Sequence, residues 1–184
     1  MILKNALSHF KKICIHKYYV AHYCFMCGLY WQGIIHDLSK FSYIEFSESV
    51  KYYCGTSSPI NECKKVNGYS RAWFHHRGRN PHHWAYWVDD FDQGMIPKKM
   101  PFKYVLEMMC DYLGAGHAYS QGQFTIWSEY DWWKQHRCLD VMHKDTVKVM
   151  DILFTAMLRY GIESTLCNKK FLSKLAYKYE NSLI

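Results

Sequence analysis

The sequence predicts an all-α protein, and three observations carry that prediction. Apolar residues recur at helical spacings of three, four and seven, no long alternating run of the strand type occurs, and no repeat of period 20 to 50 is visible. Gly contributes 10 and Pro 4 of 184 residues while 49% are hydrophobic, which excludes disordered, collagen-like and low-complexity classes. The length suits one domain: residues 1–125 form a helical core, and 126–184 supply C-terminal helices packed on the same domain. Aromatic residues, 18% of the chain, are bulky enough to fill that core.

Residues 6–32 lack proline and carry a stripe through Phe10, Ile13, Val20, Cys24, Cys27 and Trp31, which predicts a helix with one buried face. His16 follows Ile13 by three and precedes Val20 by four, so it points with the stripe; His9 shares that face, whereas His22 does not. The apolar run continues through Gly33-Ile34-Ile35 and ends abruptly at His36-Asp37, with Ser39 able to cap the next helix. Residues 41–53 read as a helix, and 54–68, with their Gly, Ser, Pro and Asn, as a loop or lid. A helix over 69–78 holds Trp73, His75 and His76. Asn80-Pro81 then reads as the N-cap and first residue of a new helix, with His82 and His83 in its first turn.

After a loop over 89–101, a helix from Phe102 to Leu113 puts Glu107 and Asp111 on one face, and Gly114 and Gly116 end it. Ser128-Glu129-Tyr130-Asp131 resembles a capping box opening a Trp-rich helix near 129–138. Val147, Met150, Phe154, Met157 and Leu158 mark a helix over 144–160 before Gly161, and a basic amphipathic segment lies near 169–179.

Lys plus Arg number 23 against 16 Asp plus Glu, a net charge of +7 that favours anionic partners. The lysines fall in scattered pairs such as Lys11-Lys12, Lys98-Lys99 and Lys169-Lys170, which is the pattern of a solvated surface, so nucleic acid is not the favoured partner. No stretch approaches the ~20 apolar residues of a membrane span, and the first residues lack the pattern of a signal peptide. A soluble cytoplasmic protein is therefore expected, with no membrane partner; composition leaves the oligomeric state open. The 8 cysteines are expected to be reduced and packed, and the one CxxC, Cys24 and Cys27, sits mid-helix with no second pair for a structural zinc.

The histidines carry the chemistry. His16, His36-Asp37, His75/His76, His82-His83 and Asp111 fall on successive apolar elements, and burying such groups without partners would cost roughly 1–3 kcal/mol each. Any one of them alone is better read as a core histidine bonded to a carbonyl or as a surface carboxylate. The ordered series is better explained by divalent Mn, Fe, Co, Ni or Zn, which accept mixed imidazole and carboxylate ligands. His117, His136 and His143 lie near turns or polar faces and need no such reading.

These residues resemble the HD-domain metal-dependent phosphohydrolases. The likeness rests on His16, on Gly33-Ile-Ile-His36-Asp37-Leu-Ser-Lys40 with Ser39 at the usual glycine, on the added histidines, and on Asp111 in Glu-Met-Met-Cys-Asp. Lys17, Trp73-Phe-His-His, Asn80-x-His82-His83 and Glu107-Met-x2-Asp111 are similar, more closely, to a family of bacterial and phage proteins of unassigned function. The resemblance covers about residues 10–120 and implies an HD-domain-like helical bundle. It further implies a first ion on His16, His36, Asp37 and Asp111, with Asp37 bridging to a second on His76, His82 and His83. The spacing from His16 to His36 is short for the superfamily, which leaves His9 as the alternative first ligand. His75 stands as the alternative to His76, which is preferred for its distance to Asn80.

The implied activity is hydrolysis of a phosphate ester on a nucleotide-like or other small phosphorylated substrate, with Asp37 and Lys40 as catalytic residues. Lys40, Arg77 and Arg79 would bind the phosphate, and Glu45 and Glu107 would orient ligand histidines. Two other readings stand beside it: an HD-type diiron oxygenase, and a non-catalytic, metal-stabilised binding protein.

Overall fold

In the computed structural model, which describes residues 2–89, 94–139 and 141–184, helix α1 spans Ile2–Met26. The chain then turns at Gly28, φ 82°, a left-handed conformation that glycine adopts without strain. Helix α2 (Tyr30–Ile35) folds back on α1, so the expected single helix over 6–32 is two. Gly33 makes that approach feasible, because a Cβ there would sit 2.9 Å from the Phe25 ring. Phe10 and Trp31 leave the expected buried stripe and are exposed. Trp31 belongs to α2, and Phe10 lies about a quarter turn from the line of His9, Ile13, His16 and Val20.

A 3₁₀ turn, Leu38–Phe41, leads into α3 (Tyr43–Lys51), whose cap is Ser42 and not Ser39; the Ser42 hydroxyl accepts from the Glu45 N–H at 3.4 Å. Much of the expected loop over 54–68 is helix α4 (Pro59–Asn67). Its proline occupies the first helical turn and Gly68, at φ 76°, ends it, so both residues punctuate a helix. Helix α5 (Arg71–Arg77) is capped by Ser70, which accepts from the Trp73 N–H at 3.0 Å.

His82 and His83 do not open a helix. Residues 80–83 form a turn closed by His83 N–H to Asn80 O at 3.0 Å, followed by a 3₁₀ helix, Trp84–Trp87. The Asn80 side-chain NH2 donates to His76 O at 2.7 Å and to Ser39 Oγ at 2.8 Å, so the side chain is tied to α5 and to the turn before α3. In the expected loop over 89–101, β1 (Val88–Asp89) pairs antiparallel with β2 (Ile96–Pro97); residues 90–93 lie outside the described residues.

Helix α6 (Phe102–Tyr119) runs through Gly114 and Gly116, which serve close packing and not termination. A Cβ on Gly114 would meet Val20 Cγ2 at 2.4 Å and the Val20 backbone N at 3.2 Å, whereas the nearest atoms to one on Gly116 are side-chain atoms of Glu129, from 2.3 Å. Gly114→Ala is therefore expected to push α1 off α6 and to cost about 1–3 kcal/mol in urea unfolding. Gly116→Ala should cost much less, because the Glu129 tip can swing aside. Equal losses in the two variants would contradict this reading of the α1–α6 contact. Burial between α6 and the next helix pushes the Glu129 carboxyl up to about 7.

Helix α7 (Ile126–His136) opens three residues earlier than expected, on a capping box of Thr125 and Ser128. Helices α8 (Lys144–Tyr160), α9 (Ile162–Leu166) and α10 (Lys169–Glu180) complete the fold; α9 was not expected, being only five residues long. One apolar cluster joins Val20 and Cys24 of α1, the buried face of α6, Trp133 of α7, Met150, Leu153, Phe154 and Met157 of α8, and Tyr179 of α10. Its large polar-tipped aromatics are satisfied: Tyr179 donates to Met100 O at 2.6 Å and Trp133 Nε1–H to Asp151 at 2.7 Å. No disulfide joins the cysteines among the described residues, and Cys27 Sγ lies 3.9 Å from Cys110 Sγ. No helix among the described residues is long and apolar enough to cross a membrane.

Candidate metal centre

Five segments aim polar side chains at one buried region between α1, α3, α5 and α6. Helical spacing carries His16 inward beside Ile13 and Val20. The end of α2 delivers His36, and Asp37 follows in the left-handed region at φ 54°, which Asp tolerates better than most residues. The Lys17 ammonium donates to the His36 carbonyl and fixes this turn against α1. The end of α5 supplies His76, the turn at 80–83 supplies His82 and His83, and α6 supplies Glu107 and Asp111 one turn apart.

These side chains meet as two groups that share Asp37: His16, His36, Asp37 and Asp111, and Asp37, His76, His82 and His83. Asp37 Oδ2 lies 3.3 Å from His16 Nε2 and 3.4 Å from His36 Nε2, while its Oδ1 lies 3.3 Å from His76 Nε2 and 3.4 Å from His82 Nε2. Asp111 Oδ1 is 3.1 Å from His16 Nε2 and 3.4 Å from His36 Nε2. Five of the seven residues, His16, His36, Asp37, His76 and His82, are at most 5% exposed.

Five buried atoms here have no hydrogen-bond partner, Nε2 of His16, His36, His82 and His83 and Oδ1 of Asp37, and Asp37 Oδ2 meets only the Lys40 ammonium. Orphaned buried polar atoms are rare in folded proteins, and their convergence is the arrangement a cation would satisfy. Ligands bonded to one ion at about 2.0–2.1 Å stand roughly 3.0–3.4 Å apart, which is the spacing of the closest pairs above. The donor set fits a divalent transition metal.

The outer nitrogens are held from behind. Glu107 Oε1 accepts from His36 Nδ1 at 3.0 Å and lies 3.1 Å from His82 Nδ1, and Glu45 Oε2 lies 2.7 Å from His76 Nδ1. A proton fixed on each Nδ1 leaves the Nε2 lone pair facing the centre. Glu107 with His36 and His82 forms a third convergent group, but it uses the Nδ1 side, from which it would orient the rings toward an ion. Removing this support in Glu107→Ala is expected to weaken metal binding about 10–100-fold, read by competition with a chromophoric chelator, with Glu107→Gln falling between the two. Unchanged affinity in the alanine variant would contradict the orienting role.

Electrostatics point the same way. Burial opposes ionisation of Asp37, but His36, Lys40 and His76 outweigh it and hold the carboxyl well below its usual range. Asp111 is likewise held well down, its burial outweighed by His16 and His36. Burial also opposes a charge on His36, yet Asp37, Asp111 and Glu107 together raise it well above the usual imidazole value. Burial, His82 and His76 push His83 well down, leaving a neutral ring. The site thus favours positive charge at its middle, and an arriving ion would displace protons there.

Lys40 Nζ lies 2.5 Å from Asp37 Oδ2 on the partly exposed side of the centre. Of the open alternatives, His76 faces the centre while His75 lies beyond Glu45, bonded at 2.6 Å to Oε1. His16 is in the centre and His9 is not: its ring sits 5.4 Å from Phe46 and 5.5 Å from Tyr53. Arg77 and Arg79 are not gathered here either, Arg77 lying over the Phe74 ring and Arg79 being exposed. Supporting roles the sequence did not suggest fall to Ser39, 3.1 Å from His76 Nδ1, and to Glu48, which accepts from Ser70 Oγ at 2.5 Å and the Ala72 N–H at 3.0 Å and so anchors the start of α5. The position of Glu48, three after Glu45, was the available signal.

A family model described as a Family of unknown function (DUF5662) matches residues 5–156, which include every residue of the centre. No curated protein and no solved structure matches the chain.

Proposed function

Because the chain belongs to this family, whose function is unknown, we propose from its site that it is a metal-dependent hydrolase of a phosphate ester. The observation that carries the reading is the shared carboxylate: Asp37 offers one oxygen to each of two converging imidazole groups, and neither oxygen has another partner apart from Lys40. His16, His36, Asp37 and Asp111 would hold one ion, and Asp37, His76, His82 and His83 a second. When bound, such a pair supplies Lewis acidity, lowering the pKa of water and offsetting charge on phosphoryl oxygens. The chain's own residues do the rest. Glu107 and Glu45 fix the ring orientations, and Lys40, on the accessible side, meets a substrate phosphate as a point charge.

The order of His, His-Asp and Asp and the helical scaffold support placing this site in the HD-domain superfamily. The substrate in this reading is a small phosphorylated compound, nucleotide-like or otherwise. The test is elemental analysis of the purified protein together with cleavage of p-nitrophenyl phosphate and bis(p-nitrophenyl) phosphate by metal-loaded enzyme. Bound divalent metal with turnover of either ester is the expected result. Iron with dioxygen consumption and no ester cleavage would replace the reading with a diiron oxygenase. Bound metal with neither activity would leave a metal-stabilised binding protein.

A further inference from the structure

The segment that carries His36 and Asp37 inward presents a different chemistry outward. It runs antiparallel to α1, and three contacts set the register: the Phe25 and Tyr30 rings at 5.5 Å, Lys17 Nζ to Ile34 O at 3.5 Å, and the Phe10 and Phe41 rings at 5.7 Å. Leu3, Leu7 and Phe10, at positions i, i+4 and i+7, make one exposed stripe of α1. Ile34, Leu38 and Phe41 lie exposed along the antiparallel segment, and Trp31 extends the row.

These seven side chains are between 39% and 73% exposed. At roughly 200 Å² for a fully exposed large apolar side chain, they leave about 800 Å² of apolar surface. The largest apolar patch of a typical monomer is about 300–600 Å², whereas a stable interface takes about 800 Å² from each partner.

We propose that this ridge is the contact face of a twofold-symmetric dimer, its occupant being a second copy of this chain. The area matches what such a dimer needs. None of the seven side chains is charged, and the adjoining Lys17 and Lys40 are engaged by the His36 carbonyl and by Asp37, so a twofold axis through the row sets apolar groups against each other, although the chain carries +7 overall. Lys4 and Lys11 flank the stripe in exposed positions and stay in water at the rim, where interfaces accept charge. The pairing would also cover the outer side of the turn that holds His36 and Asp37. The inference stands on the exposed ridge and does not depend on the chemistry proposed for the centre.

Sedimentation velocity on the full chain at 1–100 µM tests it. The expected result is a species of twice the 22.1 kDa chain mass that Leu7→Glu/Phe10→Glu halves, with unchanged helical circular dichroism. Both positions are exposed, so the fold should survive; should it not, Leu38→Lys on the opposite element reads the same face. Ile152→Glu, at an exposed position of α8 away from the ridge, should leave the mass doubled. A wild-type protein sedimenting at the chain mass throughout overturns the proposal. If that monomer floats with phosphatidylserine-containing vesicles and not with pure phosphatidylcholine, the ridge belongs to an anionic bilayer instead. A dimer that persists in both ridge variants likewise overturns it.

Discussion

Asp37→Asn is expected to release both ions at once, whereas Asp111→Ala and His83→Ala should each release one. Only Asp37 belongs to both groups; Asp111 belongs to the first and His83 to the second. Metal content measured on dialysed protein should fall from about two per chain to near zero in the Asp37 variant, and to about one in each of the others. Ester cleavage should be lost in all three. Asparagine is the informative replacement because it tolerates the left-handed backbone at φ 54°, where alanine would add strain of about 1–2 kcal/mol. The variant therefore reads the charge and not the turn. In metal-free protein the loss also leaves Lys40 and His36 without their central anion. Breaking a buried pair in this way costs about 3–5 kcal/mol, which is a second reading by calorimetry. Full metal content in Asp37→Asn would remove the basis for a shared centre.

Stripping metal should produce the other large effect. An ion that binds only the folded chain stabilises it by RT ln(1 + [L]/Kd), about 4 kcal/mol at a thousandfold excess over Kd. For a chain of this size each kcal/mol shifts Tm by roughly 2–4 °C, so one site is worth on the order of 10 °C and two sites more. Prolonged chelation should lower Tm by at least that amount, and added Mn or Zn should restore it. The ligands must be deprotonated to bind, so the metal-induced shift should shrink as pH falls toward 5. The orphaned Nε2 atoms and Asp37 Oδ1 are the structural reason to expect so large a term, since the same groups burden the metal-free fold. A Tm indifferent to chelator and to added metal would mean those atoms are satisfied by something else.

The residues of the centre were legible in the sequence as types and order. His16 was marked by its phase on α1, His36-Asp37 by the abrupt end of an apolar run, and Asp111 by its four-residue step from Glu107. Element boundaries were less legible, for identifiable reasons. Gly114 and Gly116 read as a stop because glycine's freedom at helix ends is visible in sequence, while its use for close approach to Val20 depends on a helix far away in the chain. Pro59 and Gly68 read as loop because the same two residues bound short helices. Asn80 looked like a cap, but its side-chain NH2 ties the turn to Ser39, far away in the chain, and to the His76 carbonyl.

Sequence alone determined that the chain is helical, where its apolar faces lie and which imidazoles and carboxylates ride on them, because helical periodicity and side-chain chemistry are local properties. Only the tertiary structure decided between His16 and His9, between His76 and His75, and that Arg77 and Arg79 stand apart from the centre. His75 and His76 point about 100° apart, while His9 and His16 share a face and differ by about 10 Å along α1, and in both cases the useful position is set by what the neighbouring helices bring to meet it.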